Sequence, residues 1–377
     1  MNALVLIAGI ALIILILLDA FETVVLPRRV QRHFRFTAWF YRRTWRPWRA
    51  LSRLISSPNR RESFLGYFGP LSLLVLLAMW AFGLIVAFAL IQYGLGSRVQ
   101  MGAERVTFAT LVYMSGETFF TLGFGDVTPI MGIPRIAAVL EAGMGFGFLG
   151  TVIGYLPVIY SRFSEREIEI SLLDARAGSP PTAAEFLRRM AGCHDQDLFD
   201  QVLREWERWS AQLLEGHLSY GVLCFFRSQH SNQSWLGALT TIMDSTALVI
   251  AGIGDMDHHQ AKLTFAMARH AVVDLAQIMG AEYQTNAADR LPDADLKVLK
   301  DRLAELHMPL QPGAADKLSE FRQQYEPYSQ ALAVTLAIAL PPWIETASRK
   351  DNWQSGPWDR LIQAQGLGGR IRRTDHF

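Results

Sequence analysis

The sequence predicts an all-α membrane protein, with three transmembrane helices in its first part and a soluble α-helical domain in its second. Half of the 377 residues are hydrophobic, and the long uncharged runs all fall before residue 161. After that point, apolar residues recur three or four positions apart between charged ones, a pattern typical of helices packed on a core.

The three predicted spans are the segments 3–18, 68–92 and 133–160. The first two contain no charged residue, and the second alone is long enough to cross a hydrocarbon core of about 30 Å. The third is interrupted only by Arg135 and Glu141. Since the first span lacks the basic start and the small-residue cleavage site of a secretory signal, we expect it to be retained as a helix.

Residues 28–61, between the first two spans, contain eleven arginines. The positive-inside rule therefore predicts that this segment is cytoplasmic, that residues 94–132 lie outside and that the chain after Tyr160 is cytoplasmic. The expected location is the cell membrane, with several passes and the N-terminus outside. Aromatic residues alternate with the arginines, which favours an amphipathic helix on anionic lipid over a nucleic-acid site.

The cytoplasmic part begins after the Gly178–Pro181 turn and is predicted to be compact and helical. Two of its stretches, 235–253 and 332–344, are apolar enough to resemble spans. The first contains Asp244 and the second is short, so both are predicted to be core helices. The only cysteines, Cys193 and Cys224, lie in this part and are expected to be reduced thiols.

The stretch "ETFFTLGFGDVTP", from Glu117 to Pro129, follows a helical pattern too short to cross the bilayer. Gly123 and Gly125 alternate with bulky residues, and glycine accepts positive φ at little cost. Successive carbonyls can then turn to one side. Irregular backbone at membrane depth must line a path or be buried in protein, so the stretch predicts a re-entrant helix followed by a ladder of oxygen ligands for a cation.

This stretch resembles the pore loop of tetrameric potassium channels, whose filter has the sequence TVGYGD. The resemblance implies a homotetramer that conducts K⁺ through a selectivity filter. It implies K⁺ ligation by the backbone carbonyls of Thr121, Leu122, Gly123 and Phe124, with the Thr121 hydroxyl at the innermost site, and a turn at Gly125. No cofactor is expected besides the transported ion.

Flanking positions match the same family. Glu117 lies nine residues before Asp126, the spacing at which two-helix bacterial channels pair two carboxyls behind the filter. Pro129 and Arg135 also stand at the family offsets, and Gly145 stands at the position of the inner-helix hinge glycine. The resemblance thus implies that Glu117 and Asp126 support the filter.

Two filter positions depart from the family. Leu122 replaces valine, and Phe124 replaces a tyrosine whose hydroxyl bonds to aromatic residues of the pore helix. At those aromatic positions the chain has Tyr113 followed by Met114.

The third span has an apolar stripe formed by Phe146, Leu149, Ile153 and Pro157 at spacings of three or four. If this stripe faces a common axis, four copies form a constriction that closes by dewetting, with Pro157 as a kink point. The glycines of the same span, Gly145 included, serve either close helix packing or bending.

The predicted domains follow from these segments: an N-terminal transmembrane helix (1–26), a basic interfacial segment (27–65), a pore domain (66–161), a linker helix (162–181) and a cytoplasmic α-helical domain (182–377).

Three acidic residues have no assigned role from sequence. Glu141 is expected near the middle of the bilayer, where it must be protonated, partnered or in contact with water. Asp19 and Glu22 lie within reach of Arg28 and Arg29, which favours interfacial ion pairs over proton sensing.

Other functions are weakly supported. No Gly-x-Gly-x-x-Gly follows a predicted strand, and no nucleophile elbow or Walker loop is present, so an enzyme is not expected. The segment from Asp255 to Gln260 offers either a metal cluster or a helix cap at Asp255 or Asp257, and the cap is favoured. The alternative function is a nonconducting or weakly selective membrane sensor with the same pore fold, whose cytoplasmic domain binds a partner.

Overall fold

The computed structural model describes residues 2–26, 35–100, 106–191, 196–230, 232–253, 258–345, 351–354, 356 and 358. They form two compact units. Unit 1 comprises Met1–Arg162 together with Ser219–Phe226, and unit 2 comprises Phe163–Leu218 with Arg227–Phe377. The prediction of an all-α membrane protein is confirmed, since the only strands among the described residues are two of two residues each.

Unit 1 is built on long apolar helices. Its helices before the filter are α1 (Ala3–Ala20, continued by a π-helical turn, Phe21–Val25), α2 (Phe36–Ser52), α3 (Pro58–Gly66), α4 (Phe68–Gly94) and α5 (Phe108–Phe119). Helix α1 packs along α4, where a Cβ on Gly94 would lie 2.6 Å from the Leu6 nitrogen. Strands β1 (Val99–Gln100) and β2 (Thr128–Pro129) pair antiparallel on either side of α5.

Helix α6 (Gly132–Ala177) begins in unit 1 and ends in unit 2. It runs without interruption through Pro157 and through the segment predicted as a separate linker helix. Near Tyr160 the sequence of α6 changes from mainly hydrophobic to charged residues. Residues on both sides of this point favour helix, so the helix continues through it.

Unit 2 consists of packed helices. They are the end of α6 and α7 (Ala183–Ala191), α8 (Gln196–Ser219), α9 (Trp235–Gly252), α10 (His259–Met279), α11 (Asp293–Glu305) and α12 (Ala314–Leu336). Helix α9 packs against α7, α10 and α12. Every described residue of α9 except Ile250 is buried.

Within the described part of the chain, four helical segments are long and apolar enough to cross a membrane: Ala3–Val25, Pro58–Gly94, Gly132–Ala177 and Trp235–Gly252. The fourth is α9, whose most apolar window is 94% buried inside the protein. It is the core helix that the sequence predicts.

The predicted core helix over 332–344 is wrong beyond Leu336, where α12 ends. Ala337 adopts a left-handed φ of 54°, and the Ile338 N–H donates to the Ala333 carbonyl at 3.0 Å. This is the hydrogen bond that closes a helix C-terminus. Pro341 and Pro342 follow and cannot continue a helix.

Asp19 of α1 and Glu22 of the π-helical turn have partners that the sequence did not suggest. Asp19 is 5% exposed and accepts hydrogen bonds from the Thr37 N–H (3.2 Å), the Thr37 hydroxyl (2.6 Å) and the Trp80 indole N–H (3.1 Å). Glu22 pairs with Arg35 at 3.8 Å. Arg28 and Arg29 lie outside the described residues. Asp19 therefore joins α1 to α2 and α4.

Helix α2 is amphipathic, but some of its aromatic residues are not at the surface. Phe40 and Trp45 are buried, whereas Trp39 is exposed. Arg42, Arg43 and Arg46 are exposed as well. The helix thus has an aromatic face packed within unit 1 and a basic face outside it.

Candidate functional site

The short helix α5 leads into the glycine-containing stretch. Thr107 caps it: the Thr107 hydroxyl accepts from the Thr110 N–H at 3.2 Å. Its twelve residues extend about 18 Å, so it crosses only part of a bilayer. At its other end, Thr121 has a left-handed φ of 56°, and the Leu122 N–H donates to the Glu117 carbonyl at 2.8 Å. This six-to-one bond is a helix terminator.

Residues 122–125 have no regular secondary structure. Positive φ recurs at every second position, with 56° at Thr121, 62° at Gly123 and 78° at Gly125. Such alternation turns successive peptide carbonyls toward the same side. All five residues from 121 to 125 are exposed in the single chain. Among the bulky ones, Phe124 has the largest exposed fraction, 68%. The stretch is therefore an open ribbon, without internal pairing, at the C-terminal and partly negative end of α5.

Behind the ribbon lie the two predicted supporting carboxyls. Glu117 is 6% exposed, and its carboxyl interacts with that of Asp126 and with the Phe124 backbone N–H. Two carboxyls in contact can share one proton. The Tyr113 hydroxyl donates to Asp126 Oδ2 at 3.1 Å. Tyr113 thus takes part in this brace, a role that its position in the sequence does not reveal.

The outer end of α6 is tied to the same region. The Arg135 guanidinium Nε donates to the Pro129 carbonyl at 2.8 Å, and Pro129 belongs to β2. The two residues at family offsets after the filter therefore contact each other.

A second polar contact lies on the opposite side of α5. The Ser115 hydroxyl is 2.7 Å from the Ile85 carbonyl of α4 and is also in a short hydrogen bond with Glu141 Oε1 of α6. Ser115 is fully buried and Glu141 is 1% exposed. Three helices meet at this hydroxyl, a contact that the sequence does not signal because Ser115 is an isolated small polar residue in an apolar pattern.

Gly145 lies where α6 crosses the end of α5. A Cβ built on it would be 1.9 Å from the Phe119 carbonyl oxygen. Glycine at this position permits a close helix approach, which is the packing use of glycine. The proposed hinge at Gly145 stays a prediction. The neighbouring Gly147 has nothing within 4 Å of the corresponding position.

The predicted gate stripe is unpartnered within one chain. Phe146, Leu149, Ile153 and Pro157 are all exposed. An exposed apolar stripe on a helix in this setting must face lipid, another chain or an aqueous path.

The Ser219–Phe226 segment belongs to unit 1, although the chain on both sides of it belongs to unit 2. The Phe225 ring is centred 5.2 Å from Trp45 of α2 and 5.1 Å from Phe68 of α4. A Cβ on Gly69 would lie 2.6 Å from Phe226 Cδ2. The segment is therefore packed against the start of α4.

The same segment reaches the inner part of α6. The Tyr220 ring is centred 5.8 Å from Tyr155, and the Phe226 ring 6.3 Å from Tyr160. Tyr155 lies between the gate-stripe residues Ile153 and Pro157. Sequence reasoning missed this segment because eight residues without helical periodicity gave no reason to separate them from their flanks.

The segment considered as a metal cluster or cap falls partly outside the described residues, which exclude Asp255 and Asp257. Among those that are described, no group of three His, Cys, Asp or Glu side chains is placed to hold a metal ion.

Comparison with known proteins identifies one family. Residues 74–161 match the model of a family described as ion channel. No curated protein and no solved structure matched the chain. The matched range contains most of α4, all of α5 and the filter ribbon, and α6 as far as the end of the gate stripe. The match supports an ion channel, and with it a membrane protein that is not an enzyme.

Proposed function

We propose that the chain forms a homotetrameric, potassium-selective channel that conducts K⁺ passively across the cell membrane. The observation that carries this proposal is the exposed ribbon from Thr121 to Gly125, in which positive φ recurs at every second residue. Rings of backbone carbonyls can replace the hydration shell of K⁺. In this pore, Thr121, Leu122, Gly123 and Phe124 supply those carbonyls.

Four chains are needed because one ribbon cannot surround an ion. Closed rotational symmetry is the usual way for identical chains to enclose an axis. Two surfaces of unit 1 support this arrangement: the filter ribbon and the gate stripe are both exposed in the single chain. Both would be covered or would line the pore once four copies assemble.

Gating in this proposal is driven by unit 2, with lipid and pH as further inputs. The Ser219–Phe226 segment supports a route, because it packs on α4 and beside Tyr155 of α6 while its two ends continue into unit 2. A movement of unit 2 can then reach the inner helix through the segment.

Anionic lipid is the proposed partner of residues 28–61. The exposed side chains of Arg42, Arg43 and Arg46 on α2 support it, since clustered arginines next to a transmembrane helix attract anionic headgroups. Flux in vesicles should then be higher with anionic lipid than with neutral lipid alone, and substitution of the three arginines by Gln should remove the difference.

The proposal is tested by K⁺ flux into liposomes that contain the purified full-length chain, with and without barium. The filter variant Gly123→Ala should abolish flux, because a side chain at φ 62° is strained. Gly96→Ala is the matched control: Gly96 has a similar φ of 66° and equally open surroundings but lies outside the ribbon.

Barium-sensitive flux that survives Gly96→Ala and is lost in Gly123→Ala supports a channel. Absence of flux in the unmodified chain at every pH and lipid composition contradicts it and leaves the nonconducting sensor.

A further inference from the structure

Two of the buried carboxyl groups of unit 1, those of Asp19 and Glu141, have opposite hydrogen-bond surroundings. Asp19 receives three donors, from the Thr37 N–H and hydroxyl and from the Trp80 indole. An ionised carboxylate only accepts, and it can accept all three. Glu141 meets no N–H donor among the described residues, and its Oε2 has no hydrogen-bond partner there.

Among the described residues, the only polar side chain bonded to Glu141 is that of Ser115. A hydroxyl has one hydrogen, and a backbone carbonyl cannot donate. If the Ser115 hydrogen is directed to the Ile85 carbonyl, 2.7 Å away, the hydrogen in the Ser115–Glu141 contact must come from Glu141. If Glu141 were ionised, the single Ser115 hydrogen could be donated to only one of its two neighbours, the Ile85 carbonyl or Glu141 Oε1. The Ser115 oxygen would then face the lone pair of the other acceptor with no hydrogen between them.

The surroundings of Glu141 also disfavour a charge. The apolar cluster in this region takes Ile13 and Ile16 from α1, Ile85 from α4, Phe119 from α5 and Met144 from α6. A buried carboxylate without a partner is costly in an apolar environment, whereas the neutral acid needs only one acceptor.

The charged groups of the adjoining helices have partners elsewhere. Asp19 of α1 is bound by Thr37 and Trp80. Glu117 of α5 faces Asp126, and Arg135 of α6 donates to the Pro129 carbonyl.

We infer that Glu141 is a neutral acid that donates a hydrogen bond to Ser115 and, through it, fixes the pore helix α5 between α4 and α6. Glu141 is thus a positioning residue for the filter: Ser115 stands two positions before Glu117 on the same helix. The effect on conduction rests on the proposed channel function, whereas the protonation state does not.

The direction in which K⁺ flux should change with pH follows from the identity of the donor, which is the Glu141 carboxyl. The neutral acid makes the hydrogen bond, so the contact is present at low and neutral pH. As the pH rises until Glu141 ionises, the contact is lost and a buried negative charge takes its place. K⁺ flux should therefore fall on alkalinisation.

Infrared spectroscopy of the purified chain in liposomes tests the protonation directly. The difference spectrum between the unmodified chain and Glu141→Gln at neutral pH should contain the carbonyl band of a protonated carboxylic acid. Asp19→Asn is the matched control, because it removes another buried carboxyl of unit 1, one with three hydrogen-bond donors, and should leave that band in place.

Flux measured over the same pH range tests the positioning role. In the unmodified chain, the band and the flux should disappear with the same midpoint. Glu141→Gln should keep its flux at alkaline pH, because an amide N–H also donates to Ser115. Ser115→Ala should move the loss of the band to lower pH, since it removes the acceptor that stabilises the neutral acid.

A difference spectrum without the acid band overturns the inference, whether or not the chain conducts. So does a shift to higher pH in Ser115→Ala, which would mean that Ser115 donates to an ionised Glu141. A band that titrates while flux stays constant rules out the positioning role and leaves the proposed channel intact.

Discussion

Helices α6 and α9 have similar composition and opposite surroundings. Both pass as membrane spans by length and hydropathy, yet the most apolar window of α6 is 11% buried within the chain and that of α9 is 94% buried. Unit 2 itself covers α9, so this helix has no surface left for lipid. Helix α6 leaves its apolar stripe and Gly143, Gly147, Gly150 and Gly154 open within the single chain, whereas Gly145 is packed against α5.

The buried polar groups show the same difference. In α9, Asp244 is fully buried and bonded to Arg290 (2.6 Å) and to the Tyr325 hydroxyl (2.6 Å). In α6, Glu141 shares a single serine hydroxyl. Asp244 is held by a cation and a hydroxyl donor, whereas Glu141 has no cationic partner among the described residues and fits the neutral acid inferred above. Hydropathy alone does not separate these two cases, but the partners of the polar group do.

The largest expected effect is a loss of stability when the buried charge pairing that holds α9 in the core of unit 2 is removed. Arg290→Met removes the cation that pairs with Asp244 and, at 3.1 Å, with Glu326. Loss of one partner from a buried charge pair costs about 3–5 kcal/mol. Chemical unfolding of the full chain should show this loss, and the exposed Arg302→Met should change stability by less than about 0.5 kcal/mol. Equal stability of the two variants would mean that the pairing does not hold α9.

The second effect compares a glycine on the packed face of α6 with one on its open face. Gly145→Ala places a methyl group 1.9 Å from the Phe119 oxygen, an overpacking that costs about 1–3 kcal/mol. Because Phe119 ends α5, we expect strongly reduced K⁺ flux. Gly147→Ala meets nothing within 4 Å in one chain and should be milder. A Gly145→Ala channel with normal flux would contradict the close approach.

The third effect concerns pH and unit 2. His217 is buried between the Arg166 guanidinium (3.3 Å) and the Leu213 carbonyl (2.7 Å). Burial first, and then Arg166, lower its pKa from 6.5 to about 3. Between about pH 6.5 and pH 3, His217 is therefore protonated in the unfolded chain and neutral in the folded chain. The free energy of unfolding falls by about 1.4 kcal/mol for each pH unit over this range as the pH drops.

His217→Gln should reduce that slope, since an amide can accept from Arg166 and donate to Leu213 without titrating. Hydrogen exchange of the α8 amides between pH 6 and 4 measures it. The exposed His270→Gln is the control. A slope unaffected by His217→Gln would show that His217 takes up its proton in the folded chain.

The smallest effect tests the open stripe of α6. Ile153→Asn keeps the helix but makes the predicted constriction polar, so closed-state flux should rise several-fold, equivalent to about 1 kcal/mol. Val158→Asn, about 140° away around the helix, is the control. Unchanged closed-state flux in Ile153→Asn would remove the gate assignment.

Much of unit 1 could be predicted from sequence because its signals are local. Uncharged runs set the spans, and the filter stretch has glycines where the backbone needs positive φ. Thr121 is the exception: its left-handed φ comes from the termination of α5, a backbone hydrogen bond that no side chain encodes.

The contacts that sequence could not supply join residues far apart in the chain. Trp80 binds Asp19 across 61 positions and Ser115 binds Glu141 across 26. A charge pattern suggested nearby arginines for Asp19 instead. The Ser219–Phe226 segment was missed for the same reason, since its partners on α2, α4 and α6 come from other parts of the chain.

The central claim is that residues 121–125 form a filter for K⁺, and the reversal potential tests it most directly. With the purified chain in a planar bilayer, K⁺ on one side and Na⁺ on the other, current should reverse at a potential strongly displaced from zero in the direction of K⁺ selectivity. A reversal potential near zero would contradict the claim, because it would mean that the open ribbon passes both ions alike.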